Sequence, residues 1–244
     1  MTKAVSAVSA EEISIGGIRI RPFQSMDEAV NYICANGNVR CGAAIAINPE
    51  KVMTAQHDAE LRELIDNSML RFADGIGVIK SMQRKGVKSE RIPGCELWMA
   101  VMAKSAELKL PVMLIGARPE VNEKVVARLQ SEGVDVVHAC HGYAIDEAEL
   151  IAALQQKQPK IVSVAMGSPK QEKLIARLQA AYPDAFYQGV GGSFDVYAGA
   201  VKRAPKWACD LHAEWLYRLC REPKRIFRQR NLVKYLYADL RGKL

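Results

Sequence analysis

The stretch Ile161-Val162-Ser163-Val164-Ala165-Met166-Gly167-Ser168-Pro169-Lys170-Gln171-Glu172 holds a short β-branched apolar run, a glycine turn and the start of a helix. A run this short and this continuously apolar reads as a strand buried on both faces. Beyond it, Ser168 suits a helix N-cap, Pro169 the first helical position, and Glu172 completes a capping-box-like arrangement. Similar runs recur at Ala43–Ile47, Pro111–Ile115, Val134–His138 and Phe186–Val190, each beside a longer amphipathic stretch. Buried strands alternating with helices predict an α/β fold, a mostly parallel, Rossmann-like sheet flanked by helices. Ahead of it, ISIGGIRIR at Ile13–Arg21 alternates around Gly16-Gly17 as a short hairpin does. Composition shifts at Pro205-Lys206-Trp207, after which the chain reads as helix only. Two parts are expected: an α/β core over 1–204 and a helical appendage over 205–244.

Bulk quantities narrow the function classes. With 244 residues, 49% of them hydrophobic, the chain can bury a full core. No apolar run reaches eighteen residues, and the start MTKAVSAVSAEEIS lacks a basic stretch followed by an apolar one. A cytoplasmic protein is expected. Six cysteines (Cys34, Cys41, Cys95, Cys140, Cys209 and Cys220) show no CxxC spacing and read as free thiols of a reducing compartment. His138, Cys140 and His141 are metal-ligating types without a fourth ligand nearby, and His212 beside Glu214 has no partner pattern; both read as bystanders.

Net charge is +7, and residues 218–244 hold nine basic side chains against two acidic ones, which accounts for all of it. The preceding body balances to zero, so a globally basic nucleic-acid binder is disfavoured and a local anionic partner favoured. Arg218, Arg221, Arg225 and Arg228 fall at helical spacing among Trp215, Tyr217, Leu219, Ile226, Phe227, Leu232, Tyr235 and Leu236. Such a helix suits an anionic membrane surface. A nucleic-acid stripe and a merely solvated face are the other readings, and the aromatic and leucine content favours the membrane. Pro223 breaks the segment into two helices near Glu222.

In parallel sheets, chemistry collects at the carboxyl ends of strands. Four loops qualify: Asn48-Pro49-Glu50-Lys51, Ala73-Asp74-Gly75-Ile76-Gly77, Gly167–Glu172 and Gly189–Asp195. In the third, helix N–H groups with Lys170 and Gln171 offer a place for a phosphate or sugar hydroxyl; a simply well-capped helix explains the residues equally well. The glycines of the fourth allow close approach to a nucleotide, or else form a tight turn with Asp195 capping the next helix. Asp74 is a carboxylate able to take a proton from an attacking hydroxyl, or half of an ordinary Asp-Gly turn. No Asp-x-Asp occurs, which favours metal-free stabilisation of a leaving diphosphate by arginines and N–H groups.

Asn48–Lys51, Ala73–Val78, Gly167–Glu172, Gly189–Gly199, Lys202-Arg203-Ala204-Pro205 and Glu214-Trp215-Leu216-Tyr217-Arg218 together resemble, in order and spacing, the WecG/TagA/CpsF glycosyltransferase family. The resemblance runs from about residue 12 to the end of the chain. Within the family the chain looks closest to the branch transferring N-acetyl-D-mannosaminuronic acid in enterobacterial common antigen synthesis, rather than the teichoic-acid branch. This resemblance implies a UDP-N-acetylmannosaminuronate donor, an undecaprenyl-diphosphate-N-acetylglucosamine acceptor and a β1,4 bond formed with inversion. It implies no cofactor and no metal, a peripheral place on the inner face of the inner membrane, and leaves homo-oligomers open. By the same resemblance Asp74 becomes the general base. Asn48, Arg91, Gly167, Ser168, Lys170 and Gln171 line the sugar-binding crevice, Gly191, Gly192 and Asp195 the nucleotide loop, and Arg218, Arg225 and Arg228 contact diphosphate and membrane. One departure stands out: where teichoic-acid relatives carry a hydroxyl two places before the asparagine, this chain has Ala46. A uronic acid donor adds a carboxylate for a basic residue to answer, with Arg91, Lys170 and Arg203 as candidates.

Overall fold

The computed structural model describes residues 11–143, 145–201 and 226–244. The chain first forms a hairpin, β1 (Ile13–Ile15) and β2 (Ile18–Ile20), then α1 (Met26–Ile33) and a two-residue ribbon, β3 (Cys34–Ala35) with β4 (Asn38–Val39). There follow β5 (Gly42–Ile47), α2 (Pro49–Ala55), α3 (Ala59–Asp66), β6 (Leu70–Ala73), α4 (Ile76–Arg84), α5 (Gly94–Leu108) and β7 (Val112–Gly116). Then come α6 (Pro119–Ser131), β8 (Val136–Cys140), α7 (Glu147–Lys157), β9 (Ile161–Ala165), α8 (Lys170–Ala181), β10 (Phe186–Gly189), α9 (Ser193–Tyr197) and, late in the chain, α10 (Ile226–Leu240).

Six strands make one parallel sheet in the order β6-β5-β10-β9-β7-β8. The α/β reading holds, and the five apolar runs become strands with ends shifted by a residue or two. β7 and β9 are buried throughout, which is why their sequences are continuously apolar rather than alternating. One face is covered by α1, α5, α6 and α9, with Trp98, Val101, Val125 and Phe194 in its core. On the other, α7 and α8 bury Leu150, Leu154, Leu174 and Leu178. Each such fully buried side chain stabilises the fold by about 2 kcal/mol. After β5 the chain moves outward to β6, while β10 joins on the other flank of β5. That reversal opens a crevice at the carboxyl ends of β5 and β10.

The hairpin forms as expected, with Ile13 opposite Ile20 and both turn glycines at positive φ, the requirement of a type I′ turn. Its Ile15, Ile18 and Ile20 join Val52, Val78, Ile79, Met82 and Tyr235 in a third cluster beside the β6 edge. Tyr235 belongs to α10, so this helix is docked on the body, chiefly against α2. The proposed division at 204/205 lies outside the described residues.

Candidate active site

Asp74 directly follows β6, and its backbone N–H donates to Ile47 O at 2.9 Å, tying the ends of β5 and β6 together. Its half-buried carboxylate accepts from the Gly94 N–H at 3.3 Å, the first residue of α5. Arg91 Nε donates to Asp74 O at 2.6 Å, and its other terminus stands 3.8 Å from Asp74 Oδ1. A helix N-terminus and a guanidinium thus both face the carboxylate. Gly75 is not the glycine of a tight turn, because its φ is −93°. It is glycine because a Cβ would stand 2.6 Å from Pro49 Cδ and 3.1 Å from Asn48 Cβ. Asn48 caps α2, its Oδ1 accepting from Lys51 N at 2.9 Å. Asn48, Asp74 and Arg91 therefore meet at one lip of the crevice.

The opposite lip differs from its sequence reading. Helix α8 starts at Lys170 with Pro169 as the cap residue and no side-chain capping bond, so Ser168 is not an N-cap and Glu172 closes no capping box. Glu172 instead forms a buried ion pair with Lys51 of α2, 2.8 Å apart. A buried carboxylate gains more from a cation than from a backbone N–H, so the ion pair wins. Burial alone pushes the Glu172 carboxyl up, but Lys51, with further hydrogen bonds from its own backbone and from Gln171, holds it below the ordinary range. Gln171 is buried too, and its Oε1 accepts from Gly167 N at 3.2 Å and from Gly191 N at 2.9 Å. One amide therefore joins the loops after β9 and β10. Gly189 leaves room for it, since a Cβ there would come within 2.5 Å of Gln171 Nε2. Ser168 and Lys170 are exposed at the mouth.

Asp195 lies inside α9 and does not cap it; the cap residue is Gly192, without a side-chain bond. Its carboxylate faces Arg118 at 3.5 Å, and Arg118 also pairs with Glu120 at 3.1 Å. Sequence reasoning overlooked Arg118, although Ile115-Gly116-Ala117-Arg118-Pro119 repeats the strand, glycine, proline pattern of the Gly167 loop. It also overlooked Gln188 on β10, an alternate position in an apolar strand with no motif to mark it. Gln188 is buried, its Nε2 donates to Gly94 O at 3.2 Å, and its Oε1 has no hydrogen-bond partner among the described residues.

Of the arginines read as anion contacts, Arg203, Arg218 and Arg225 lie outside the described residues, and Arg228 falls on α10 with only its backbone position described. On α10, Tyr235 is fully buried and its hydroxyl lies 2.7 Å from Ser81 Oγ on α4. Arg84 pairs with Asp239. Val233, Leu236, Tyr237 and Leu240 remain exposed, flanked by exposed Arg230, Lys234 and Arg241. No described helix is long and apolar enough to cross a membrane. His138 and Cys140 are half-buried on edge strand β8, and burial pulls the imidazole pKa down and pushes the thiol up. A cavity of about 240 Å³ lies beside β5 between α3 and α8, lined by Ala43, Leu64, Ile175 and Ala176 and reaching Glu172 and Gly189 of the second lip, without Asp74 in its lining.

Two lips at the carboxyl end of a parallel sheet bring a half-buried carboxylate on one side opposite glycine backbone on the other, the kinds of group that accept a proton and approach a ligand closely. The family model described as Glycosyl transferase WecG/TagA/CpsF matches residues 13–243. The chain belongs to this family and is a glycosyltransferase.

Proposed function

We propose that this glycosyltransferase moves N-acetyl-D-mannosaminuronic acid from UDP to undecaprenyl-diphosphate-N-acetylglucosamine, forming a β1,4 bond with inversion on the way to enterobacterial common antigen. The observation that carries the reading is the Asp74 carboxylate, half exposed at the end of β6 and turned toward Gly94 and Arg91. In this mechanism Asp74 takes the proton of the acceptor hydroxyl as its oxygen attacks the anomeric carbon. The bond from that carbon to the UDP oxygen breaks on the opposite face. Arginines from the end of the chain and N–H groups of the Gly167 and Gly191 loops, other than those of the two glycines, which donate to Gln171, neutralise the departing diphosphate without a divalent ion. Lys170, exposed where α8 begins, suits the uronate carboxylate better than Arg91, which is turned to Asp74. The exposed apolar and cationic faces of α10 support a peripheral seat on an anionic, cytoplasm-facing membrane.

Product analysis with a short-chain lipid-diphosphate-N-acetylglucosamine, offering UDP-N-acetylmannosaminuronate and UDP-N-acetylmannosamine separately, tests the donor. Preferred transfer of the uronic acid is expected; exclusive use of the neutral sugar would place the chain with the teichoic-acid type. Asp74→Asn is expected to abolish transfer while UDP-sugar binding and folding survive, and full retained activity rejects Asp74 as the base. Turnover lost in EDTA and restored by manganese would overturn the metal-free mechanism.

A further inference from the structure

We infer that Gln188 is a positioning residue that holds Asp74 through the first turn of α5, an inference that rests on Asp74 being the base. Gln188 sits on β10, 1% exposed, in the parallel pairing that brings it beside Ala44 and Ser163. Its amide nitrogen donates to Gly94 O at 3.2 Å, and the N–H of the same Gly94 donates to Asp74 Oδ1 at 3.3 Å. Gly94 thus accepts from the sheet floor on one side and donates to the carboxylate on the other. A Cβ there would stand 3.6 Å from Ala46 Cβ and 4.0 Å from Asp74 Oδ2, ordinary contact distances that place Gly94 directly against the carboxylate. The α5 N-cap, Pro93, makes no side-chain capping bond, so the start of this helix is not fixed by its own cap.

The other half of the Gln188 amide argues against a role in stability alone. Oε1 is buried without a hydrogen-bond partner among the described residues, a desolvated acceptor that an apolar side chain of the same shape would not carry. What the amide supplies in return is one directed bond, and that bond ends on the residue that bonds Asp74. Misplacing a reacting group by about 1 Å costs on the order of a hundredfold in rate, so partial loosening of Gly94 should be visible in kcat.

The test is Gln188→Met, close in shape and without either polar atom, measured with whichever UDP-sugar the wild type turns over. Three results are expected together: kcat down about tenfold with the donor KM within about twofold of wild type, a thermal midpoint not lowered, and faster hydrogen exchange at the Gly94 amide. An unchanged kcat, or a reduced one with Gly94 exchange unaltered, overturns the inference. So does a lowered midpoint with proportionate loss of active enzyme, which marks an ordinary core residue. If Gln188→Met does not fold, Gln188→Asn, whose amide ends one carbon short, carries the same measurements. Asp74→Asn run alongside separates the failures. Should it stay active, the base assignment is wrong; should it be dead while Gln188→Met is normal, only the role of Gln188 falls.

Discussion

Lys51 and Glu172 face each other inside the protein, with side chains 8% and 2% exposed. Removing one partner strands a buried charge, so Lys51→Met is expected to cost about 3 to 5 kcal/mol in denaturant unfolding, whereas Lys51→Met with Glu172→Met costs far less. The pH dependence follows from the lowered carboxyl. The stabilisation is fully present above the ordinary glutamate value of 4.5 and is lost as pH falls through the lower folded value. An acid titration of the wild type should show this loss, and the double variant should lack it. Gly75→Ala makes a separate demand. A methyl 2.6 Å from Pro49 must push Asn48 and Asp74 apart, and a drop in kcat of about a hundredfold with the fold retained is expected. Lys170→Met should weaken use of the uronic acid donor and leave the neutral one alone; equal effects on both would remove Lys170 from the carboxylate's site.

At the scale of elements, α10 buries one part and leaves another exposed where the sequence presented a single amphipathic set. Tyr235 looked like part of a membrane-facing aromatic set, yet it is buried against α2 and α4, with Tyr235 Cε1 only 3.5 Å from where a Cβ on Gly77 would sit. Helical spacing reveals that a face is apolar but not which neighbour covers it. Tyr235→Ala is expected to destabilise by about 3 kcal/mol or more, and Tyr235→Phe by about 1 kcal/mol through its Ser81 partner. Deleting 218–244 would therefore mix two effects. Replacing exposed Arg230, Lys234 and Arg241 together by Glu leaves Tyr235 in place, and should weaken binding to anionic vesicles by about a hundredfold or more. Unaltered vesicle binding would remove α10 from the membrane contact. Strands were the most legible elements, since burial on both faces writes itself as unbroken Val, Ile and Ala. The start of α8 was misread because Ser, Pro and Glu at capping spacing look the same whether Glu172 meets a backbone N–H or a lysine 121 residues away in sequence.

Across the whole molecule, the crevice was legible because strand ends carry glycines and Asp74 stands at one of them. Its supports were not, because Lys51, Gln188 and Arg118 act through partners that only the sheet order brings close. The order β6-β5-β10-β9 sets Asp74 and Asn48 on one side of the reversal and the Gly167 and Gly191 loops on the other. With Gln171 Oε1 shared by the N–H groups of Gly167 and Gly191, those two loops have a common anchor. They act as a fixed jaw: neither can swing out to admit a substrate without breaking its own bond to Gln171. Any widening of the cleft for entry or product departure then falls to the jaw opposite, built from Asn48, Asp74 and Arg91.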